Sequence, residues 1–232
     1  MAGNELDYEI HKRSWFGPHC RVEVMRRLGI SLVLDVGANS GQYASELRQD
    51  GYRGPIWSYE PLSAAFAELN KAAASDGSWK AINSGCGARA GTAEIHIAGN
   101  SASSSLLPML ESHVANAPGA AYVSSERISN CTLDDSVLPT LTLKDKVWLK
   151  IDTQGYEAEV IRGAGNLMRR VDGLECELSF VPLYGGQPLI DEMLGMIYQI
   201  GFQMVGVKPV FWAAGTEYML QIGGTFLRAE RL

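Results

Sequence analysis

Residues 31–36 (SLVLDV) form a short apolar run broken only by Asp35, and the run stops at Gly37. A stretch that is apolar without alternation predicts a central parallel strand covered on both faces. The residues after it predict a helix with Tyr43, Ala44 and Leu47 inward and Gly51 at its end. A second strand over residues 55–59 ends at Glu60-Pro61, a helix covers 63–74, and a third strand covers 79–83. This βαβαβ alternation specifies an open, doubly wound α/β sheet and excludes all-helical and all-β architectures.

Beyond residue 83 the pattern loosens. Residues 92–98 alternate as an added edge strand, and residues 99–125, rich in Ser, Ala, Gly and Pro, predict one long loop. Residues 127–133 form another short strand, and residues 147–151 a buried strand ending in Asp152. A helix over 157–169, a strand over 174–180, a helix over 189–200 and closing strands over 202–208 and 218–227 complete the chain. A length of 232 residues without a linker or repeat predicts one domain, 1–232: a helical cap segment 1–29 and a Rossmann-like core 30–232. Within the cap, Val22, Met25 and Leu28 share a helix face that Gly29 ends.

A net charge of −6 argues against a nucleic-acid partner, which requires clustered Lys and Arg. No apolar run reaches the ~20 residues of a membrane span. Cys20, Cys86, Cys131 and Cys176 are scattered without zinc spacing, and the N-terminus is polar with no apolar run. We therefore expect a cytoplasmic protein.

In an open sheet, ligands gather beyond the carboxyl ends of the strands, where strand order reverses. Gly37 and Gly41 let the backbone turn sharply there, but Ala38 and Asn39 break the G-x-G-x-x-G spacing of dinucleotide sites. Asp35 would repel a pyrophosphate, and Glu60, at the next strand end, can accept both ribose hydroxyls. A ligand with an amine, a sulfonium and a ribose but no phosphate suits this turn; S-adenosylmethionine is such a ligand.

Three blocks resemble the FkbM family of S-adenosylmethionine-dependent methyltransferases: VLDVGANSGQY with the downstream YEP, the Ser-rich residues 101–106, and LKIDTQGYEAEVIRGA at 149–164. The likeness covers roughly residues 30–205. It implies a class I methyltransferase fold of seven mostly parallel strands, the last antiparallel. It further implies O-methylation of a sugar or secondary-metabolite hydroxyl. By position, Asp35, Gly37, Asn39 and Gly41 line the methionine end and Glu60 holds the ribose. Ala38, Tyr43, Pro61, Ser84 and Asp152 complete the candidate cofactor set. Family blocks often carry an acidic residue where this chain has Thr153-Gln154, and an apolar residue and Gly where it has Ser84 to Gly87.

Methyl transfer to a hydroxyl needs alignment and a group to take the proton. Asp152, at a strand end, is the first candidate base, followed by Glu157 and the loop residue His113; the structural alternatives are a cap, a helix-dipole partner and a solvated imidazole. His96 reads as surface, and His11 and His19 as cap residues. Ser104, Ser105, Glu177 and Tyr184 are candidate acceptor contacts, with Tyr184 exposed and able to stack on a sugar. Asp152 and Glu177 are chemically able to take a divalent cation, but no ligand spacing demands one and none is expected. The expected partner is a small-molecule or glycan acceptor, and the apolar Phe211, Trp212, Tyr218 and Met219 offer a homodimer surface. Two other functions fit parts of the chain. An NAD-dependent oxidoreductase lacks the third glycine and a Tyr-x-x-x-Lys pair, and a non-catalytic adenosyl-binding module requires Asp152 and Glu157 to be structural only.

Overall fold

The computed structural model describes residues 18–232. His11 and most of the cap segment lie outside the described residues. Helix α1 (Pro18–Leu28) leads into strand β1 (Leu32–Val36), helix α2 (Gln42–Gln49), β2 (Ile56–Tyr59), α3 (Ser63–Ala73) and β3 (Trp79–Ile82). After an intervening segment come β7 (Val147–Ile151), α6 (Glu157–Arg162), β8 (Val171–Ser179), α7 (Ile190–Gln199), β9 (Phe202–Trp212) and β10 (Met219–Arg228). These strands form one seven-stranded sheet of order β3-β2-β1-β7-β8-β10-β9. All neighbours through β8 are parallel, and β10 runs antiparallel to both β8 and β9. The order reverses between β1 and β7, so their carboxyl ends flank the switch point.

The sheet is buried on both sides because the strand residues divide strictly. Leu32, Leu34 and Val36 join Leu149, Ile151 and Ala158 in one core, while Val33 joins Met25, Ala44, Leu47 and Trp148 in the other. Asp35 points to the second side. There it begins a polar row across the sheet, in register from Ser58 through Asp35, Lys150 and Glu175 to Thr225.

The intervening segment departs from expectation. Strand β5 (Gly91–Ala98) is an edge strand, as its alternation predicts, but of a separate three-stranded sheet with β4 (Gly85–Cys86) and β6 (Tyr122–Cys131), in the order β4-β6-β5. The expected long loop 99–125 holds helix α4 (Glu111–Asn116), a 3-10 turn at Pro118–Ala120 and the start of β6. Its Ser, Ala and Gly content hid a small amphipathic unit that packs under Tyr184. The helix expected over 157–169 stops at Arg162, and the next residue, Gly163, passes Gly87 so closely that a Cβ there would sit 1.9 Å from the Gly87 carbonyl oxygen. Helix α5 (Leu133–Ser136), begun by a Thr132 cap, leads on toward β7. Among the described residues, no helix is long and apolar enough to cross a membrane.

Candidate active site

Two turns build the site, one after β1 and one after β7. In the first, the amides of Gly37 and Ala38 donate to the Tyr59 carbonyl at 3.1 and 3.0 Å, which bends the chain sharply out of the sheet. Gly37, Asn39 and Gly41 all adopt positive φ (74°, 48° and 90°). A Cβ on Gly37 would lie 1.8 Å from the Asp152 carbonyl oxygen, so the two turns touch backbone to backbone. The Glu60 carboxylate organises this turn by accepting from the Asn39 amide at 2.8 Å and the Leu62 amide at 2.9 Å. Burial raises its pKa, and those two amides and Lys150 partly offset the rise.

The second turn repeats the device. Gln154 and Gly155 take positive φ (56° and 95°), and Glu157 accepts from the Thr153 amide at 2.8 Å and the Gly155 amide at 3.2 Å. Burial pushes the Glu157 carboxyl up to about 7. The Gln154 side chain is the hub: its Nε2 donates to Asp152 Oδ1 at 2.9 Å and Glu177 Oε2 at 3.0 Å, and its Oε1 accepts from the Tyr184 hydroxyl at 2.7 Å.

Between the turns lies a cavity of about 890 Å³. Of the sequence-predicted residues, Gly37, Ala38, Asn39, Tyr43, Glu60 and Pro61 line it on the first side, with Ser84 and Ser104 beside them. Asp152 and Glu177 line it on the second side. The Asp152 side chain is 40% exposed, with Lys150 Nζ 3.8 Å from Oδ2. Burial, and then the Asp152 charge, holds the Glu177 carboxyl well above the usual carboxylate range.

Other predicted residues are brought near but not onto the wall. Asp35 is fully buried, 3.1 Å from Lys150 Nζ, and accepts from Ser58 Oγ at 3.2 Å. Its charge is compensated within the sheet, so it does not supply the repulsion that the sequence suggested. Gly41 packs on the Trp79 ring. Tyr184 is not exposed: it is fully buried, with its hydroxyl committed to Gln154 and Ser103, so it has no face to offer a sugar. His113 is a buried residue of α4 held between the Tyr184 and Phe211 rings, and burial lowers its pKa. It is absent from the cavity wall. His96, expected at the surface, is partly covered by stacking on Tyr122 at 4.8 Å. Glu157 and Ser105 are spent on the backbone of the second turn. Ser105 Oγ donates to the Gln154 carbonyl at 2.7 Å and accepts from the Leu107 amide. Ser104 reaches the wall, but its hydroxyl accepts from the Ala98 amide.

The wall also holds residues that spacing did not single out for the site: Arg21, Lys150, Gln154, Glu175 and Lys208. Arg21 comes from α1, stands over the Tyr43 ring at 4.5 Å and faces Glu175 and Glu46 at 3.4 and 3.3 Å. Burial alone would lower the pKa of Lys150, but Asp35 and Asp152 outweigh it and raise the value. Lys150 also donates to the Gly37 carbonyl at 2.8 Å, tying the strand of one turn to the backbone of the other. A Lys two residues before a strand-end Asp, beside Asp35 on the neighbouring strand, was the available signal. Among the described residues, no group of three or more His, Cys, Asp or Glu is placed to hold a metal ion.

Residues 35–204 match the family described as Methyltransferase FkbM domain. Among curated proteins, none matches the chain. Solved structures similar to it include magnesium protoporphyrin IX methyltransferase from Synechocystis, with bound S-adenosylmethionine (12% identity, 91% of this chain and 77% of that one, TM-score 0.47). Another is an rRNA methylase from Streptococcus thermophilus (10% identity, 86% and 87% covered, TM-score 0.43). A third is fibrillarin from Aeropyrum pernix (12% identity, 85% and 66% covered, TM-score 0.47). The match spans the first turn, the Ser-rich segment and the second turn; the chain belongs to the FkbM family of S-adenosylmethionine-dependent methyltransferases.

Proposed function

We propose that the chain is an O-methyltransferase acting on a hydroxyl of a small acceptor, such as a sugar unit of a glycolipid, polysaccharide or secondary metabolite. The observation that carries this reading is Asp152: a carboxylate 40% exposed at the carboxyl end of β7, on the wall of an 890 Å³ cavity, with Lys150 Nζ no nearer than 3.8 Å. Cavities of roughly 300–1,000 Å³ suit small ligands.

Glu60, with lone pairs left after its two backbone contacts, receives the ribose hydroxyls. The first turn, with Gly37 and Asn39, receives the amino-acid end. S-Adenosylmethionine supplies an electrophilic methyl group on sulfur. Asp152 accepts the hydroxyl proton as the acceptor oxygen bonds to the methyl carbon, while the carbon–sulfur bond breaks and its electron pair stays on sulfur. Helix α1 closes the acceptor side through Arg21. On the wall, Glu46, Asp152 and Glu175 offset Arg21, Lys150 and Lys208, and Glu177, held toward its neutral form by burial, adds no positive charge. Such a balance favours a neutral acceptor over a phosphate backbone.

The test is methyl transfer from labelled donor to a panel of glycans, hydroxylated small molecules and RNA. Asp152→Asn is expected to lower kcat by roughly 10²–10⁴-fold, the usual contribution of a positioned base, with S-adenosylhomocysteine affinity unchanged. Full activity in the variant, or transfer to RNA alone, would sink this reading.

A further inference from the structure

The two wall carboxylates are held by one amide. Gln154 Nε2 has two hydrogens, and each is used: one toward Asp152 Oδ1 at 2.9 Å, the other toward Glu177 Oε2 at 3.0 Å. Turning the amide over would set its oxygen against both carboxylates. The hydroxyl of fully buried Tyr184 favours the first orientation: its one hydrogen has two acceptors in reach, and Gln154 Oε1 at 2.7 Å is closer than the Ser103 carbonyl at 3.1 Å. The Gln154 backbone sits at φ 56°, where non-glycine residues are rare, and its carbonyl is pinned by Ser105 Oγ at 2.7 Å. A strained residue fixed by two neighbours, Tyr184 and Ser105, and aimed at two carboxylates is a place to look for function.

We propose that Gln154 is the positioning residue of the reacting centre: its carboxamide, oriented by Tyr184, holds Asp152 and Glu177 as one hydrogen-bonded pair at the acceptor end of the cavity. The catalytic consequence rests on Asp152 being the base; the positioning itself does not. The N–H directed at Glu177 favours its ionised form, against the burial of Glu177 and the Asp152 charge beside it. The other groups facing Glu177 are Lys150 on β7, Glu157 at the start of α6, Tyr184 from the loop after β8 and Gln221, which donates to Oε2 at 3.0 Å from β10. Gln221 remains in place when Gln154 is changed, so the substitution removes one donor from Glu177 rather than all of them.

The experiment follows the Asp and Glu side-chain carboxyl carbons by NMR across pH, in full-length protein saturated with S-adenosylhomocysteine. Glu177 is assigned from Glu177→Gln. Gln154→Met keeps the volume and removes both donors; the Glu177 midpoint should rise by about one unit, a tenfold gain in proton affinity. Tyr184→Phe frees the amide to turn and should raise it by less. An unchanged Glu177 titration in a Gln154→Met protein that still binds S-adenosylhomocysteine would overturn the proposal. If that variant does not fold, an unchanged titration in Tyr184→Phe overturns it instead. Failure of the base reading shows separately, as undiminished turnover in Asp152→Asn with the Glu177 shift intact.

Discussion

The turn after β1 and the turn after β7 are built alike and left in different states. Each follows a buried parallel strand, uses residues at positive φ, and is folded around a carboxylate that accepts two backbone amides. Each is stapled from the same Ser-rich segment: the Asn39 side chain donates to Ser101 Oγ at 3.3 Å, and Ser105 donates to the Gln154 carbonyl. Glu60 nevertheless stands on the cavity wall, whereas Glu157 is sealed beneath its own turn. The first turn thus keeps its organising carboxylate for a ligand. The second consumes its own and presents a neighbour, Asp152, through Gln154. A carboxylate that organises a turn is evidence of a site only when it also keeps a face on the cavity, as Glu60 does and Glu157 does not.

The sharpest way to break this comparison is at the contact between the turns. Gly37→Ala places a Cβ 1.8 Å from the Asp152 carbonyl oxygen at a φ of 74°. Left-handed strain of ~1–2 kcal/mol and overpacking of ~1–3 kcal/mol sum to roughly 2–5 kcal/mol of stability, with cofactor affinity lost as well. Gly51→Ala, at φ 99° with no atom within 4 Å of its Cβ, carries the strain alone, about 1–2 kcal/mol. Urea unfolding of the two variants measures the contact by difference; equal losses would show that the turns do not press on each other.

Sequence periodicity made the sheet legible because central strands and their helices announce themselves by burial. The turn glycines and Glu60 were legible because their spacing differs from the dinucleotide pattern. The polar row of Asp35, Lys150 and Glu175 was not, since it joins residues from three strands by register alone. Gln154 was passed over because it stands where the family often has an acid, and only three-dimensional contact shows its two donors in use. Tyr184 misled for the opposite reason. Its Gly/Pro surroundings read as exposed loop, but the chain folds over it through α4. The Ser-rich run likewise resembles loop filler until its hydroxyls are seen bonded to both turns.

The second turn makes a pH-dependent claim. Glu157 titrates near 7 in the folded chain against a usual 4.5, so between those values the folded state holds a proton the unfolded state has lost. Stability therefore falls as pH rises through that window, by about 3 kcal/mol for a shift of this size. Glu157→Gln keeps an acceptor oxygen for the turn and removes the titration. Its unfolding midpoint should drop less than that of the parent between pH 5 and pH 8, and parallel curves would show that Glu157 is not the sealed group described.

For the first turn the expectation is the converse. Glu60→Gln retains one acceptor but replaces the other with an amide NH2 that faces a backbone N–H donor, and it presents a neutral group to the ribose. S-Adenosylhomocysteine affinity should fall by roughly tenfold, about 1.4 kcal/mol, measured by calorimetric titration. The same measurement on Glu157→Gln should show a much smaller change, because Glu157 has no surface in the cavity. Comparable losses in both variants would erase the distinction between the turns.

The smallest effect concerns the staples. Ser105→Ala removes the hydroxyl that donates to the Gln154 carbonyl at 2.7 Å and accepts from the Leu107 amide at 3.0 Å, leaving both half-buried groups without that partner. A loss near 1 kcal/mol is expected from one such hydrogen bond, visible as a lower urea midpoint at unchanged slope. Ser101→Ala loses only the longer 3.3 Å contact to Asn39 at a half-buried position and should cost less. The order of the two matters more than either size. If Ser101→Ala proves the more costly, the Ser-rich segment supports chiefly the cofactor turn, and the second turn is held by Glu157 and Tyr184 without it.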